Sequence, residues 1–407
     1  VASKIRDRNI WLINATILLV GVACGMAISL LAIHLHDRGY TEERIGSLAA
    51  WFALGIVGFS FPMSALIEKL TAKRALVGSL FLYAATVASF PFVTHSFALA
   101  ALVRVFDGAA SAGMWIGCET ILLQRADKDE KAAITAMYAA AIAVGYMVGP
   151  FLSRLVVAGF HSLEVAFVVA GVISALTGLL VLVRLDPDKG TVRHEEDGEA
   201  GAAGAPSATT AAVVWSIKNS CFGNFAYGYF QSSVVLFLPL YLVAAKGITS
   251  DQTIIIPGFF AFGMLTFVRV AGAFGDRHGH LFTMRILGAI GLVTVLGFVV
   301  LDNFWAMCAA VAVAGATLAS ISPISLALQG VILAPSDYGR GNAIYNGFYA
   351  TGMLLGPPIS GRLFHTFGGP TMLYHLAALW AAFVVFSLVF AKDDPAYGKR
   401  AAVAPVA

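Results

Sequence analysis

Charge is what this sequence has least of. Asp, Glu, Lys and Arg make up only 12% of its 407 residues, against about 25% in soluble domains, and the stretches 13–34, 75–93 and 286–301 contain none of them. With 59% hydrophobic residues, a water-soluble fold could not hide the apolar surface. About 20 residues of helix cross the hydrocarbon core of a bilayer, so blocks of this length read as membrane spans. Cysteine is scarce too: Cys24, Cys118, Cys221 and Cys308 lie one each in separate apolar segments. That excludes a disulfide framework and points to small packing residues. The histidines are scattered, with no His or Cys at i+3 or i+4, so no metal site is expected. There is no Gly-x-x-x-x-Gly-Lys-Ser/Thr phosphate loop, and no nucleophile, base and orienting group share a face, so neither ATP hydrolysis nor another enzymatic activity is expected, and no cofactor. The net charge of +3 is not gathered on one face, which argues against nucleic acid.

What is present is an orderly series of apolar segments. Splitting at charge clusters and Gly/Pro turns gives twelve, at about 10–35, 45–67, 74–93, 97–123, 131–157, 163–183, 213–244, 253–275, 282–301, 304–333, 341–363 and 371–391, so the fold class is an all-α membrane protein. Residues 1–185 and 213–391 form two six-helix halves, 186–212 a polar Glu-, Gly-, Ala- and Ser-bearing linker that cannot bury a core, and 392–407 a tail. The basic lead Val1–Arg8 precedes an apolar stretch too long for a signal-peptide core. With both termini inside, eighteen Lys and Arg fall on the cytoplasmic side and five on the outer side, the bias expected of a multi-pass protein of the cytoplasmic membrane. Arg104, Lys218 and Arg269 are left within or at the margin of segments.

The two halves repeat. Ser64-Ala-Leu-Ile-Glu68-Lys69 after the second segment returns as Gly272-Ala-Phe-Gly-Asp276-Arg277-His-Gly279 after the eighth, and Gly145-Tyr-Met-Val-Gly149-Pro150 of the fifth returns as Gly352-Met-Leu-Leu-Gly356-Pro357 of the eleventh. Two unrelated motifs recurring at offsets of 208 and 207 residues imply an internal duplication, a known route to a transporter with its site between repeats.

On these motifs the chain resembles the major facilitator superfamily over essentially its whole length. Gly272, Asp276, Arg277 and Gly279 match its Gly-x-x-x-Asp-Arg-x-Gly signature, whereas the first-half copy has Ser64 and Thr71 in place of glycines and Glu68 in place of Asp. Arg104-Val-Phe-Asp107-Gly108 looks like the family's Arg-x-x-Gln-Gly with Asp for Gln. Gly145, Gly149 and Pro150 resemble a motif associated with proton-driven antiporters, and Trp115-Ile-Gly-Cys-Glu119 is similar to an efflux-like bacterial branch. The resemblance implies two pseudo-symmetric six-helix bundles working by alternating access, as a monomer, on a small-molecule substrate, with protons as coupling ion and the lipid bilayer as surroundings. It also implies gating by Glu68 and Asp276, each latching onto a helix start in the opposite half, with Arg277 and Arg340 near the second contact. The plain alternative is that the basic residues there only set topology.

The fourth segment carries ionisable groups where each costs roughly 2.5–3.5 kcal/mol, so they are expected to face a cavity or a partner. Arg104, Asp107, Ser111, Trp115 and Glu119 fall within an arc of roughly 120° at 3.6 residues per turn. Arg104 and Asp107 can pair at i, i+3; desolvation favours the neutral acid and Arg104 the carboxylate, and such opposition can make a proton switch. A static pair that fixes packing is the alternative, and Glu119 divides between coupling residue and interface charge. Asn224, Tyr227 and Gln231, and likewise Ser322, Ser325 and Gln329, recur at i, i+3 and i+7 and share helical faces. They read as interhelical hydrogen-bonding groups or as substrate contacts; the resemblance places their helices among those lining the cavity. With Ser111 and Trp115 they suit an amphiphilic or weakly polar solute. Arg269 could pair, snorkel or contact substrate, and Lys218 reads as snorkelling. The functional expectation is proton-coupled export, against import of a metabolite, sugar or siderophore, or a receptor that has lost transport.

Overall fold

The computed structural model describes residues 7–125, 131–186, 209–334 and 337–395. The side chains at 61, 64, 68, 123 and 131–133 fall outside that description, and with them the carboxylate of Glu68. The described residues are helical, with no strand. In order they form α1 (Arg8–Asp37), α2 (Glu42–Leu70), α3 (Ala72–Val93), α4 (Phe97–Arg125), α5 (Lys131–Phe160), α6 (Leu163–Arg184), the short α7 (Thr210–Ser216), α8 (Lys218–Lys246), the single-turn α9 (Ser250–Thr253), α10 (Ile256–His278), α11 (His280–Val300), α12 (Phe304–Ile332), α13 (Tyr338–Phe367) and α14 (Gly369–Val389). Setting aside α7 and α9, twelve long helices correspond to the twelve apolar segments. Ten segments in this series are long and apolar enough to cross a membrane by length and composition. In a bilayer core every backbone donor and acceptor must be satisfied within the segment, which an all-helical chain does.

Boundaries differ from the sequence reading by a few residues in several helices, and three of the differences bear on how the segments break or extend. The seventh segment begins earlier, as α7, and breaks at Ile217 before α8. The eighth is preceded by the separate turn α9, and α13 extends beyond 341–363 at both ends. Lys218, just after the break, does not snorkel. Its ammonium pairs with Asp393 and lies over the rings of Trp215 and Phe390 at 4.6 and 4.5 Å from their centroids. A cation enclosed by two aromatic faces and a carboxylate ties α7 to the segment after α14.

By contacts the chain divides into two units. The first comprises Val1–His194 and Val235–Ala261, and the second Glu195–Val234 and Phe262–Ala407. In the first, α1 packs on α5 and α6, α4 on α2 and α3, and α3 on α6. The α1–α5 crossing shows what the Gly145 and Gly149 motif does locally. A Cβ on Gly149 would lie 2.5 Å from the Val22 carbonyl oxygen, and one on Gly145 would lie 2.7 Å from the Gly21 Cα. Small residues let helix backbones approach this closely, and in lipid such packing replaces the missing hydrophobic drive. The duplicated motif is used in the same way in the second unit, where Gly356 of α13 abuts the Tyr229 carbonyl of α8 at 2.6 Å by the same measure. The first unit also brings Arg154 of α5 to Asp251 of α9 (3.1 Å) and Phe151 onto Phe259 (5.9 Å between centroids).

The linked motif loops differ in strain. Gly279, between α10 and α11, has φ 93°, a conformation open to glycine. Its counterpart between α2 and α3 is Thr71, at φ 110° and ψ 149°, where a side chain is disfavoured by about 1–3 kcal/mol. Thr71 compensates in part by capping α3, its Oγ1 accepting from the Arg74 amide. At the end of the first unit where α1 begins and α6 ends, Asn9 binds Asp186 and Asp7, and Arg125 reaches Asp7 and the Asp186 carbonyl. Partial burial pushes the Asp7 carboxyl up, but the Asn9 hydrogen bonds and the Arg125 charge outweigh it and hold the group below its ordinary value.

Candidate solute and coupling site

The polar face of α4 opens onto a cavity. Its walls include Arg104, Asp107, Ser111 and Trp115 of α4, Cys24 and Ile28 of α1, Phe52 of α2, Tyr83 of α3, Tyr146 of α5 and Phe167 of α6. It contains about 450 Å³ of atom-free space, part of it open to solvent. Every lining residue belongs to the first unit. The lining is mostly apolar and aromatic, with one ion pair set into it.

That pair is buried: Arg104 is 9% exposed and Asp107 5%. Arg104 donates from Nη1 to Asp107 Oδ2, and its guanidinium stands 4.2 Å from the centroid of the Phe52 ring. The engagement uses one N–H and one oxygen. Among the described residues, Arg104 Nε and Asp107 Oδ1 are both buried without a hydrogen-bond partner, and so is Trp115 Nε1 on the same face. Each unmade bond of this kind costs about 1–3 kcal/mol, and more in a low-dielectric setting.

Other residues singled out in the sequence lie elsewhere. Glu119, one turn beyond Trp115, is exposed and does not line the cavity. In the second unit the stripes of α8 and α12 are tied together through α13. Asn224 donates to the Tyr345 carbonyl (3.0 Å) and accepts from Ser322 (2.9 Å). The Tyr345 hydroxyl meets Ser325 at 2.8 Å and Ser322 at 3.2 Å. Gln329 donates to Asn342 (2.7 Å), and Tyr349 donates to Gln231 (3.0 Å). Tyr227 is buried, its ring 5.9 Å from that of Tyr349. The structure thus gives both stripes the interhelical hydrogen bonding that the sequence left as one of two readings. The organising residues, Asn342, Tyr345 and Tyr349, recur at i, i+3 and i+7 on α13, the same signal the stripes carry.

Of the residues expected to gate, Asp276 lies 3.2 Å from His280 with its side chain 75% exposed, Arg277 is exposed, and Arg340 pairs with Asp337, the residue just before its own helix. Arg269 is exposed on α10 and makes no ion pair within its unit among the described residues. In the cavity, Phe52, Tyr83 and Tyr146 went unnoticed in the sequence, because an aromatic residue in an apolar helix carries no mark of whether it faces core or cavity.

Comparison with known proteins agrees with this architecture. The family model described as Major Facilitator Superfamily matches residues 13–221 and 220–405. An uncharacterised MFS-type transporter of Bacillus subtilis (strain 168), YfkF, is 23% identical over 372 residues, covering 90% of this chain and 92% of that protein. The quinolone resistance protein NorA of Staphylococcus aureus is 27% identical over 187 residues, 46% of this chain and 47% of NorA. Among solved structures, the nucleoside transporter NupG superimposes with a TM-score of 0.75 at 13% identity, over 94% of this chain and 99% of that one. A bacterial homologue of the human lysosomal transporter Spinster, in an inward-facing and occupied conformation, gives 0.72 at 14% identity, over 94% and 95%.

Proposed function

The chain belongs to the major facilitator superfamily, and from that premise we propose that it is a proton-coupled exporter in which Asp107 and Arg104 couple solute movement to protons. Membership makes it a multi-pass membrane transporter of small solutes and not an enzyme. The finer reading rests on one observation: the half-engaged Arg104–Asp107 pair set into an otherwise apolar cavity.

Charges at membrane depth are retained where they face a cavity or a partner and move ions or substrate. While Arg104 holds it, Asp107 stays a carboxylate; a helix movement that draws Arg104 away lets it take a proton. Protein open to the cytoplasm binds an amphiphilic or weakly polar solute as Asp107 releases its proton inward. Open to the outside, it takes a proton and the solute leaves. The electrical part of the driving force is roughly 2.3 kcal/mol per charge per 100 mV. Export is supported by the likeness to the quinolone resistance protein NorA. Both termini are cytoplasmic, from the Lys and Arg bias. Asp276, exposed and 3.2 Å from a neighbouring His280, suits a latch at a helix start, where a carboxylate gains about 0.3–1 kcal/mol.

The test is Asp107→Asn in proteoliposomes. Gradient-driven transport should be abolished while solute binding and counterflow persist. Unchanged driven transport would remove Asp107 from the coupling mechanism.

A further inference from the structure

We propose that Arg8 and Asn9 with Asp186, and Lys218 and Asn219 with Asp393, are two copies of one clasp. Each fastens the first long helix of a repeat to the residues just past its last helix, and each stays closed while the cavity changes the side to which it opens. The fastening stands on distances within each unit; that it stays closed rests on the transport reading of the chain.

The sequence carries the pattern twice. Arg8-Asn9 opens α1 and Lys218-Asn219 opens α8, 210 residues later, while Asp186 follows α6 and Asp393 follows α14, 207 residues later. These offsets lie close to the 208 and 207 residues of the other duplicated motifs, so one duplication accounts for all of them.

The side chains meet in both copies. In the first, Asn9 Nδ2 donates to Asp186 Oδ2 at 2.9 Å, the Asp186 amide donates back to Asn9 Oδ1 at 3.1 Å, and Arg8 Nη2 lies 3.4 Å from Asp186 Oδ1. In the second, Asn219 Nδ2 donates to Asp393 Oδ2 at 3.1 Å, and the Lys218 ammonium pairs with the same carboxylate. The second copy lacks the returning backbone amide. Among the described residues, Asn219 Oδ1 is buried without a hydrogen-bond partner, and the rings of Trp215 and Phe390 enclose Lys218 instead. Both asparagines are buried, at 3% and 2% exposure, where a side-chain amide finds its partners inside the protein. The cations differ in setting, the Arg8 side chain being 67% exposed and that of Lys218 11%. The buried asparagine is therefore the common part, and the cation neutralises the carboxylate that it holds.

The gripped helix end is held from a second side in both repeats. Lys73 of α3 donates to the Leu185 carbonyl at 2.5 Å, and Arg285 of α11 donates to the Ser387 carbonyl at 2.6 Å, satisfying carbonyls that a helix end leaves free. The fastened helices also pack on each other, α1 on α6 and α8 on α14 through Phe222 against Phe383 and Phe386, at 5.8 and 5.2 Å between centroids. Opening such a clasp at every turnover would strip a carboxylate of charge-assisted hydrogen bonds, the costly kind to lose. Since α1 supplies Cys24 and Ile28 to the cavity, a first helix fastened to the last carries that wall along with its repeat, as movement by rigid bodies requires.

The two pairs can be locked by their own chemistry. A water-soluble carbodiimide joins a lysine ammonium to the carboxylate beside it as an amide, itself taking up the water as a urea. Full-length protein with Arg8→Lys, and with Cys118, Cys221 and Cys308 changed to alanine, is treated in nanodiscs and then reconstituted in oriented vesicles. A control with Lys218→Arg in place of Arg8→Lys keeps both cations, forms neither amide and is treated alike. Peptide mass spectrometry should find Lys218 joined to Asp393, and the lysine introduced at position 8 joined to Asp186; absence of either amide would overturn the proposal. Cys24, offered an impermeant maleimide from each side, should exchange its favoured side on reversal of the proton gradient as fully in the linked protein as in the control. Exchange in the control alone would overturn the proposal, because the clasp would then have to open. Exchange in neither would sink the transport reading and with it the claim that the clasp stays closed. The fastening itself is read separately by amide hydrogen exchange. Asn9→Leu should speed exchange over residues 181–186 by about tenfold or more, the factor for a lost hydrogen bond to a charged group, and leave 387–393 unchanged, with the converse for Asn219→Leu. Ends that respond together, or not at all, would overturn the fastening.

Discussion

Removing Arg104 alone should harm the protein more than removing Arg104 and Asp107 together. In Arg104→Leu the Asp107 side chain, 5% exposed in the intact protein, loses the guanidinium that it pairs with. Breaking a buried pair in this way costs about 3–5 kcal/mol. Part of the loss can be escaped by protonation. At pH 7.5 neutralising a carboxyl of ordinary acidity costs about 5 kcal/mol, and each pH unit downward reduces that by about 1.4 kcal/mol. The deficit of Arg104→Leu should therefore be near its full value at pH 7.5 and smaller at pH 5.5. Replacing both partners with leucine removes the two charges and the two orphan atoms at once, and substitutions of that kind are often neutral or stabilising by about 1–4 kcal/mol. With Cys24, which lines the cavity, changed to alanine, the remaining cysteines are buried away from it, and a thiol-reactive dye reports unfolding directly during a thermal ramp. The order expected at pH 7.5 is Arg104→Leu lowest, with the double variant at or above the unaltered protein. The double variant should nevertheless fail in gradient-driven transport. A double variant less stable than Arg104→Leu, or a deficit that grows as pH falls, would refute the electrostatic reasoning; a double variant that still transports would show that the pair only fixes packing.

Two further substitutions probe the scaffold. Thr71→Gly should stabilise by about 1–2 kcal/mol, the relief of a left-handed conformation less the few tenths lost with the cap on α3, and a lowered unfolding midpoint would show that the φ of 110° is not strained. Gly149→Ala should destabilise by about 1–3 kcal/mol, because its Cβ meets the Val22 carbonyl at the α1–α5 crossing. If the motif acts through packing, coupling stoichiometry stays as it was in whatever protein remains folded; an altered stoichiometry with unchanged stability would mean that these residues take part in coupling itself.

The helices were legible because membrane insertion is written in continuous hydropathy, a signal spread over 20 residues that local exceptions do not erase. The breaks around α7 and α9 were not, since a helix interrupted by one residue such as Ile217 looks apolar throughout. Arg104 and Asp107 could be picked out because charge is rare in such a chain and has to be accounted for. Their surroundings could not: Phe52, Tyr83 and Tyr146 are the same residue types that fill a core. Lys218 was misread for a related reason. Near a helix start, a long cation can reach water or a partner, and Asp393, 175 residues away in sequence, leaves no local trace. The second-unit stripes were visible as polar faces, yet periodicity reports a shared face and not what covers it. Here Tyr345 and Tyr349 of α13 do so, within hydrogen-bond distance.

Alternating access at the α4 cavity can be measured without knowing the solute. Cys24 lines the cavity, while Cys118, Cys221 and Cys308 do not; with those three changed to alanine, a membrane-impermeant maleimide can be offered from either side of oriented vesicles. The account predicts that Cys24 reacts from both sides, with the favoured side exchanging when the imposed proton gradient is reversed. Reaction from one side only, indifferent to the gradient, would contradict it.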